Sequence, residues 1–304
     1  MKKTISVILT IILSAPLWAQ QSDRYEQRYD LLVAKLGPAG VGIETLLDNW
    51  EKEDSTNAKM LFGRFIYYFT KAQTASVVSK PTKKYLGMEP VLTLKDSTGN
   101  DVYYYQENVF DDDIYGQAVK AADKAIEAWP QRLDFRFAKA NAYIAYEKES
   151  PDMALAYLME LVKENASRKP VWQYDGENTD EGFFEDAMQE YCYSFWTIGS
   201  PASYEAFREL SECMLTYFPE NIGCMNNIGS YYLIAKKDYK NALKWYNKVL
   251  KKQPDEYTAI KNCITLARKQ GNVKLEKKYL QMMEKYGPEK DAMLAKGRLT
   301  ALSK

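Results

Sequence analysis

The chain has 304 residues, with 41 basic and 41 acidic side chains, so its formal net charge is zero. A neutral chain lacks the positive field that nucleic-acid-binding proteins use to attract phosphates. Histidine is absent, which excludes Ser–His and Cys–His catalysis and ordinary zinc sites. We therefore expect no catalytic residues, no metal and no other cofactor.

The first residues have the features of a secretory signal peptide. A basic start, MKK, precedes an apolar run over 5–13, and cleavage is expected after Ala19. This run is too short to span a bilayer comfortably. The first cysteine is Cys192, so no lipid anchor is expected, and no later segment is apolar enough to span a membrane. The sequence predicts that 1–19 exports 20–304 to the periplasm or cell exterior.

Three helices are predicted next, over 23–36, 41–53 and 56–72. Gly37, with a proline directly after it, is a natural stop for the first of them. The second helix carries four carboxylates over 44–53. Two carboxylates facing one cleft would suit a glycosidase. A charge run on an amphipathic helix is more often its solvated face, and we favour that interpretation.

Residues 74–113 interrupt the helical pattern with a predicted β-hairpin. The segments VLTLK (91–95) and DVYYYQENVF (101–110) are rich in β-branched and aromatic residues, and turn-forming residues separate them. The acidic residues 111–113 could collect a cation, but we favour an N-terminal cap for a helix over 114–129.

This insertion is a candidate binding surface, because a short connector would join the flanking helices equally well. Its edge strand would offer unpaired backbone groups to another chain. The candidate contact residues are Tyr103, Tyr104 and Tyr105. The alternative is that the insertion only covers an apolar flank of the neighbouring helices.

A repeated helix–turn–helix pattern follows and is clearest at 222–254 and 257–288. Each unit has a first helix with a small residue at its tightest contact, then a second helix that ends at proline. Pro219, Pro254 and Pro288 recur at a spacing of 34 to 35 residues. A fixed period of this length indicates stacked helical hairpins. In the first of these units the key positions are Met225, Ile228, Gly229, Tyr232, Ala242, Tyr246 and Pro254.

This pattern resembles the tetratricopeptide repeat, whose signature is W-x2-L-G-x2-Y, then A-x3-F, then P. The resemblance covers about residues 115–288. It implies an all-α, superhelical solenoid of tandem helix–turn–helix repeats, with the β-hairpin as a small insertion. On this interpretation 20–304 is a single domain, 166–180 is a long loop and 289–302 is a C-terminal capping helix.

In the tetratricopeptide family the first helices form a concave wall. The resemblance therefore implies a groove that changes from aromatic and apolar to polar and basic towards the C-terminus. Its candidate residues are Arg64, Tyr67, Phe137, Asn141, Tyr191, Phe195, Asn226, Ser230, Lys261 and Arg268, and the same helix phase includes Met60, Ile144, Leu233 and Thr265. The Lys/Asn clamp of chaperone-binding members is not reproduced, so capture of a C-terminal carboxylate is not implied.

The resemblance favours a non-catalytic scaffold or adaptor of the cell envelope that binds another protein or peptide through the groove, the insertion or both. The alternative is a peptide- or oligosaccharide-binding module with an aromatic-lined groove. In an oxidising compartment, Cys213 and Cys224 could form a disulfide across the turn at Pro219. The other interpretation, which we favour, is that the cysteines are small buried apolar side chains.

Overall fold

The computed structural model describes residues 24–303, and the predicted signal peptide at 1–19 lies outside them. The fold is mostly helical, with a small antiparallel sheet, as the sequence predicted. The strands are β1 (Gln73–Lys80), β2 (Leu92–Lys95), β3 (Asp101–Phe110), β4 (Gln173–Tyr174) and β5 (Glu177–Asn178). The helices are α1 (24–36), α2 (Ile43–Glu53), α3 (Ala58–Lys71), α4 (Asp112–Ala128), α5 (Leu133–Glu147), α6 (Asp152–Arg168), α7 (Phe183–Ile198), α8 (Pro201–Tyr217), α9 (Ile222–Ile234), α10 (Tyr239–Lys252), α11 (Tyr257–Lys269), α12 (Val273–Tyr286) and α13 (Glu289–Ala301).

Contacts between residues divide the chain into two compact units. The sequence predicted a single domain over 20–304. Unit 1 contains the described residues up to Lys84, together with Met88–Tyr146 and Pro170–Thr179. Unit 2 contains Tyr85–Gly87, Glu147–Lys169 and the described residues from Asp180 onwards. No helix among residues 24–303 combines the length and the apolar character needed to cross a membrane.

In unit 1, α3 and α4 pack directly on each other although an insertion separates them in sequence. The backbone N–H of Asp111 donates to the carbonyl of Ala72 at 2.9 Å, so the two ends of the insertion meet. The Asp111 side chain then caps α4 by accepting from the Ile114 N–H at 3.0 Å. This geometry confirms the helix-cap interpretation of the acidic run at 111–113.

The insertion is a three-stranded antiparallel sheet with strand order β1–β3–β2. The predicted hairpin corresponds to β2 and β3, where Leu92 pairs with Tyr104. The strand β1, which pairs with residues 103–110 of β3, was not predicted. Its sequence, QTASVVSK, contains only two large apolar residues and has a weak strand pattern. Pairing with β3, rather than its own sequence pattern, therefore makes this segment a strand.

Within the predicted loop over 166–180, residues 166–168 continue α6, whereas 170–179 belong to unit 1 and contain a short hairpin of β4 and β5. Trp172, just before it, is buried, and the Arg136 guanidinium lies over its ring at 5.3 Å. The backbone N–H of Gln173 donates to the carbonyl of Gln131 at 2.9 Å. These contacts fix the hairpin against the start of α5.

Unit 2 consists of stacked helical hairpins. From α7 to α13 each helix packs on the next, and α9 also contacts both α7 and α11. Gly229 on α9 faces the ring of Tyr246 on α10, and a Cβ at Gly229 would lie only 2.6 Å from the Tyr246 ring. Ala242 and Tyr246 are fully buried at this contact. The small residue is therefore required by the close approach of the two helices.

Candidate functional site

Three of the four carboxylates of α2 form ion pairs with side chains of α3. Arg64 forms ion pairs with Asp48 and Glu51, both at 2.9 Å. Glu44 accepts hydrogen bonds from the hydroxyl of Tyr67 at 2.8 Å and from Lys71 at 3.2 Å. The bond from Tyr67 is the main cause that lowers the pKa of Glu44. Asp48 and Glu44 nevertheless keep 52% and 40% of their side-chain surface exposed, and Glu53 is exposed, so the acidic run lies on a solvated face as the sequence predicted.

Three predicted groove residues of unit 1, Met60, Tyr67 and Phe137, are covered by other parts of the same chain. Tyr67 is buried and fixed by Glu44, and Met60 is fully buried. Phe137 is also buried, with the ring of Tyr174 from the β4–β5 hairpin 6.4 Å away between centroids. Asn141 is exposed. The prediction of a binding groove at Tyr67 and Phe137 is therefore wrong. Helix phase alone does not reveal that 170–179 lies against α5.

The aromatic groove residues of unit 2 are also buried. Phe195 has no exposed surface, and Tyr191 is 7% exposed. Asn226 is 8% exposed, and its buried Oδ1 has no hydrogen-bond partner among residues 24–303. Ser230 shares a hydrogen bond with the Tyr246 hydroxyl at 3.2 Å. Because α9 contacts α7 and α11 directly, these positions fill helix contacts, so an aromatic-lined groove is not formed at them.

Two predicted groove residues, Lys261 and Arg268, remain exposed and lie at a pocket in unit 2. The pocket has a volume of about 210 Å³ and is enclosed by residues of α11, α12 and α13. We call it the C-terminal pocket. Its lining residues are Tyr257, Lys261, Ile264, Thr265, Arg268, Leu280, Met283, Asp291, Leu294 and Ala295.

A buried carboxylate stabilises one side of this pocket. Glu276 on α12 is only 3% exposed, and its Oε1 accepts from the Nε of Arg268 at 2.7 Å and from the Nε of Arg298 at 3.0 Å. The hydrogen bond from Arg298 is the first cause, and that from Arg268 a further one, that lowers the pKa of Glu276. This carboxylate therefore connects α11, α12 and α13.

The opposite side carries a hydrogen bond between a tyrosine and a carboxylate. The hydroxyl of Tyr257 on α11 donates to Asp291 of α13 at 2.7 Å. The ammonium of Lys261 lies over the Tyr257 ring at 5.4 Å and has no ion pair within the described residues. The pocket thus has a cationic rim whose charge is only partly neutralised.

The three candidate tyrosines of the insertion occupy different environments. Tyr105 is 1% exposed, and its hydroxyl donates to the carbonyl of Thr82 at 2.7 Å, so Tyr105 is structural. Tyr103 and Tyr104 are half-buried. The register places Tyr104 on the same face as Leu92, which is 50% exposed.

This face of the sheet carries no charged residue. Directly paired residues of an antiparallel sheet share a face, so the register assigns its members. We call it the uncharged sheet face. Its members are Gln73, Ala75, Val77, Ser79, Leu92, Leu94, Val102, Tyr104, Gln106, Asn108 and Phe110. Charge depletion beside exposed apolar side chains is typical of the core of protein interfaces.

All four cysteines are free thiols and buried, as the favoured interpretation predicted, and the alternative bridge between Cys213 and Cys224 is not formed. The two side chains face different helices. The sulfur of Cys213 lies 4.0 Å from the carbonyl of Met159 on α6. Burial, with a smaller contribution from the nearby Cys192 of α7, raises the pKa of Cys224. Burial likewise raises the pKa of Cys192 to about 12.

We therefore expect the folded protein to resist alkylation at neutral pH, because neither thiolates nor open access are present. After unfolding without a reductant, all four cysteines should react with iodoacetamide, as counted by mass spectrometry. Recovery of only two labels would show that a disulfide does form.

Among residues 24–303, no group of three or more histidine, cysteine, aspartate or glutamate side chains could hold a metal ion. In α2, Asp48 and Glu51 are bound by Arg64, and Glu44 is bound by Tyr67 and Lys71. The one carboxylate among the residues that line the C-terminal pocket, Asp291, accepts a hydrogen bond from Tyr257.

Comparison with known families supports the repeat architecture. The model of the TT21 fifth ARM repeats domain matches residues 232–296. Comparison with curated proteins gives no match. ARM repeats are helical repeats, so the comparison identifies the helical-repeat class but not the tetratricopeptide form predicted from the sequence. The matched segment includes every residue that lines the C-terminal pocket, and this part of the chain is therefore similar to a helical repeat domain.

Proposed function

We propose that the protein is a non-catalytic helical-repeat module that binds another protein and acts as a scaffold or adaptor. The observation that carries this proposal is the C-terminal pocket, which combines a buried apolar floor with exposed cations. Helical repeats use such concave surfaces for binding. The side chain of Leu294 at the rim is 64% exposed, which suits an apolar contact to a partner.

The tetratricopeptide form of the repeat and the location in the cell envelope are parts of this proposal. The contact between Gly229 and Tyr246 supports the former, because both occupy signature positions. The sequence of residues 1–19 supports the latter, through its basic start and apolar run.

A second binding surface is supported by the uncharged sheet face. Val77 is 64% exposed and Leu94 is 47% exposed on this face. Exposing these side chains to water is unfavourable, and a partner that covered them would remove that cost. We include this face in the proposed protein-binding function.

A matched pair of variants tests this second surface. Leu94→Lys places a charge on the uncharged sheet face, and Thr93→Lys places the same charge on the opposite face of the same strand. Both residues are exposed, so both variants should fold. Cross-linking with mass spectrometry in the native cells should show partner links lost in Leu94→Lys and kept in Thr93→Lys. Equal links in both variants would remove the sheet face from the proposal.

Excision of the sheet provides a second test. Ala75 and Asn108 are directly paired, so an Asn-Gly turn can replace 76–107 and close a short hairpin. The residue Phe110, which packs on Phe69, Tyr115 and Tyr146, is kept. Helical circular dichroism should be retained. Loss of the helical signal would show that the insertion is required for folding instead.

A further inference from the structure

We propose that the C-terminal pocket binds an acidic segment of the partner protein, with one aromatic or branched apolar side chain seated in the pocket. This inference rests on the proposed function and specifies the chemistry of the partner. The carboxylates of the segment would lie at Lys261 and Arg268, on either side of the apolar side chain.

The floor of the pocket selects an apolar group. Ile264, Leu280, Met283 and Ala295 line it and are at most 7% exposed. An engineered apolar cavity of about 150 Å³ binds benzene. The C-terminal pocket, with about 210 Å³, is therefore large enough for one phenylalanine or leucine side chain but too small for a folded element. The exposed side chain of Leu294 extends this apolar contact to the rim.

The rim selects negative charge. Arg268 uses its Nε to bind Glu276, and its two other guanidinium nitrogens make no hydrogen bond within the described residues. The ammonium of Lys261 has no carboxylate partner among residues 24–303 and lies over the Tyr257 ring. The acidic Asp291 offsets one charge, but it already accepts from Tyr257. The free donors at the rim are therefore cationic, and carboxylates are their natural acceptors.

The spacing of the two cations sets the spacing of the acidic residues. Lys261 and Arg268 are seven positions apart on α11, which places them on the same face and about 10.5 Å apart along the axis. Side chains of an extended segment alternate between its two faces, so residues i, i+2 and i+4 project to the same side. Four residues of extended chain span about 13 Å, a distance that the long side chains of Lys261 and Arg268 can reach. A partner segment with acidic residues at positions i and i+4, and an apolar residue at i+2, therefore matches this rim.

The probe is a fluorescein-labelled peptide, Ser-Ser-Glu-Ser-Phe-Ser-Glu-Ser, titrated with the full chain and followed by fluorescence anisotropy. We expect saturable binding that weakens with added salt, because ion pairs contribute to it. Peptides with lysine in place of glutamate, or alanine in place of phenylalanine, should bind at least tenfold more weakly. Equal binding of the three peptides, or no binding of the first, overturns the proposal.

Matched variants of the protein locate the binding. Lys261→Glu at the rim is compared with Lys269→Glu on the same helix, which does not line the pocket. Leu294→Glu is compared with Met293→Glu, since Met293 is 69% exposed and lies outside the pocket lining. The rim variants should weaken binding at least tenfold and the controls should not. Equal effects within a pair overturn the proposal.

Two further measurements separate this inference from other outcomes. If native partners still cross-link to Lys261→Glu as to the wild type, the protein-binding function survives and the pocket assignment fails. If sedimentation shows that the wild type self-associates and that Lys261→Glu abolishes this, the occupant is a second copy of the chain. That result also overturns the proposed acidic partner segment.

Discussion

Replacing Gly229 with leucine should destabilise unit 2 by about 1–3 kcal/mol, the usual cost of overpacking a close contact. A Cβ at Gly229 would lie 2.6 Å from Cε1 and 2.9 Å from Cδ1 of Tyr246. The Tyr246 ring has no exposed surface and its hydroxyl is held by Ser230 at 3.2 Å, so it has little room to move. Urea unfolding followed by circular dichroism measures the loss as a lower midpoint.

Gly297→Leu is the matched control for this prediction. Gly297 lies within α13, is exposed, and would have no atom within 4 Å of an added Cβ. Leucine has the higher helix propensity by about 0.5–1 kcal/mol, so this variant should be as stable as the wild type or slightly more stable. If both variants unfold at the same urea concentration, Gly229 is not at a tight helix contact.

Glu276→Gln should have the second large effect, about 1.5–3 kcal/mol, because hydrogen bonds to two charged groups are lost or weakened at a buried site. Arg268 and Arg298 would keep their charges without a counter-charge, and α13 would be less firmly attached to α11 and α12. Thermal unfolding should show the loss most clearly at neutral pH. Glu284→Gln, an exposed change on the same helix, should leave the melting temperature unchanged.

The effect of Glu276→Gln should also depend on pH. The pKa of Glu276 is lowered in the folded protein, so its ionised form stabilises the fold at pH values above the pKa of the unfolded chain. This contribution is lost as the pH falls through the folded pKa. The difference between wild type and variant should therefore shrink in acid. A difference that is constant from neutral to acidic pH would show that the charge of Glu276 is not the cause.

The sequence predicted the helices of the repeats because their period depends on local spacing. The small residue at Gly229, the capping role of Asp111 and the β2–β3 pair were all visible in short segments. Strand β1 was missed because its alternation is weak and its partner β3 lies about thirty residues later. Local patterns do not reveal such a distant partner.

The site was predicted less completely, since helix phase gives the direction of a side chain but not what covers it. Phe195 and Tyr191 project from the expected face of α7, yet neighbouring helices bury them. Lys261 and Arg268 are exposed although residues of α12 and α13 line the same pocket. Glu276 occupies a position normally held by a small residue. Its arginine partners are 8 and 22 positions away, so its burial could not be foreseen.

Site-specific photocross-linking in the native cells tests whether the C-terminal pocket binds another protein. A photoreactive amino acid replaces Lys261 at the rim of the C-terminal pocket, and in a control chain it replaces Lys269 on the same helix. We expect irradiation to link another protein to position 261 and to give much less of this adduct at position 269. Absence of a protein adduct at position 261, or equal adducts at both positions, would contradict a binding role for this pocket.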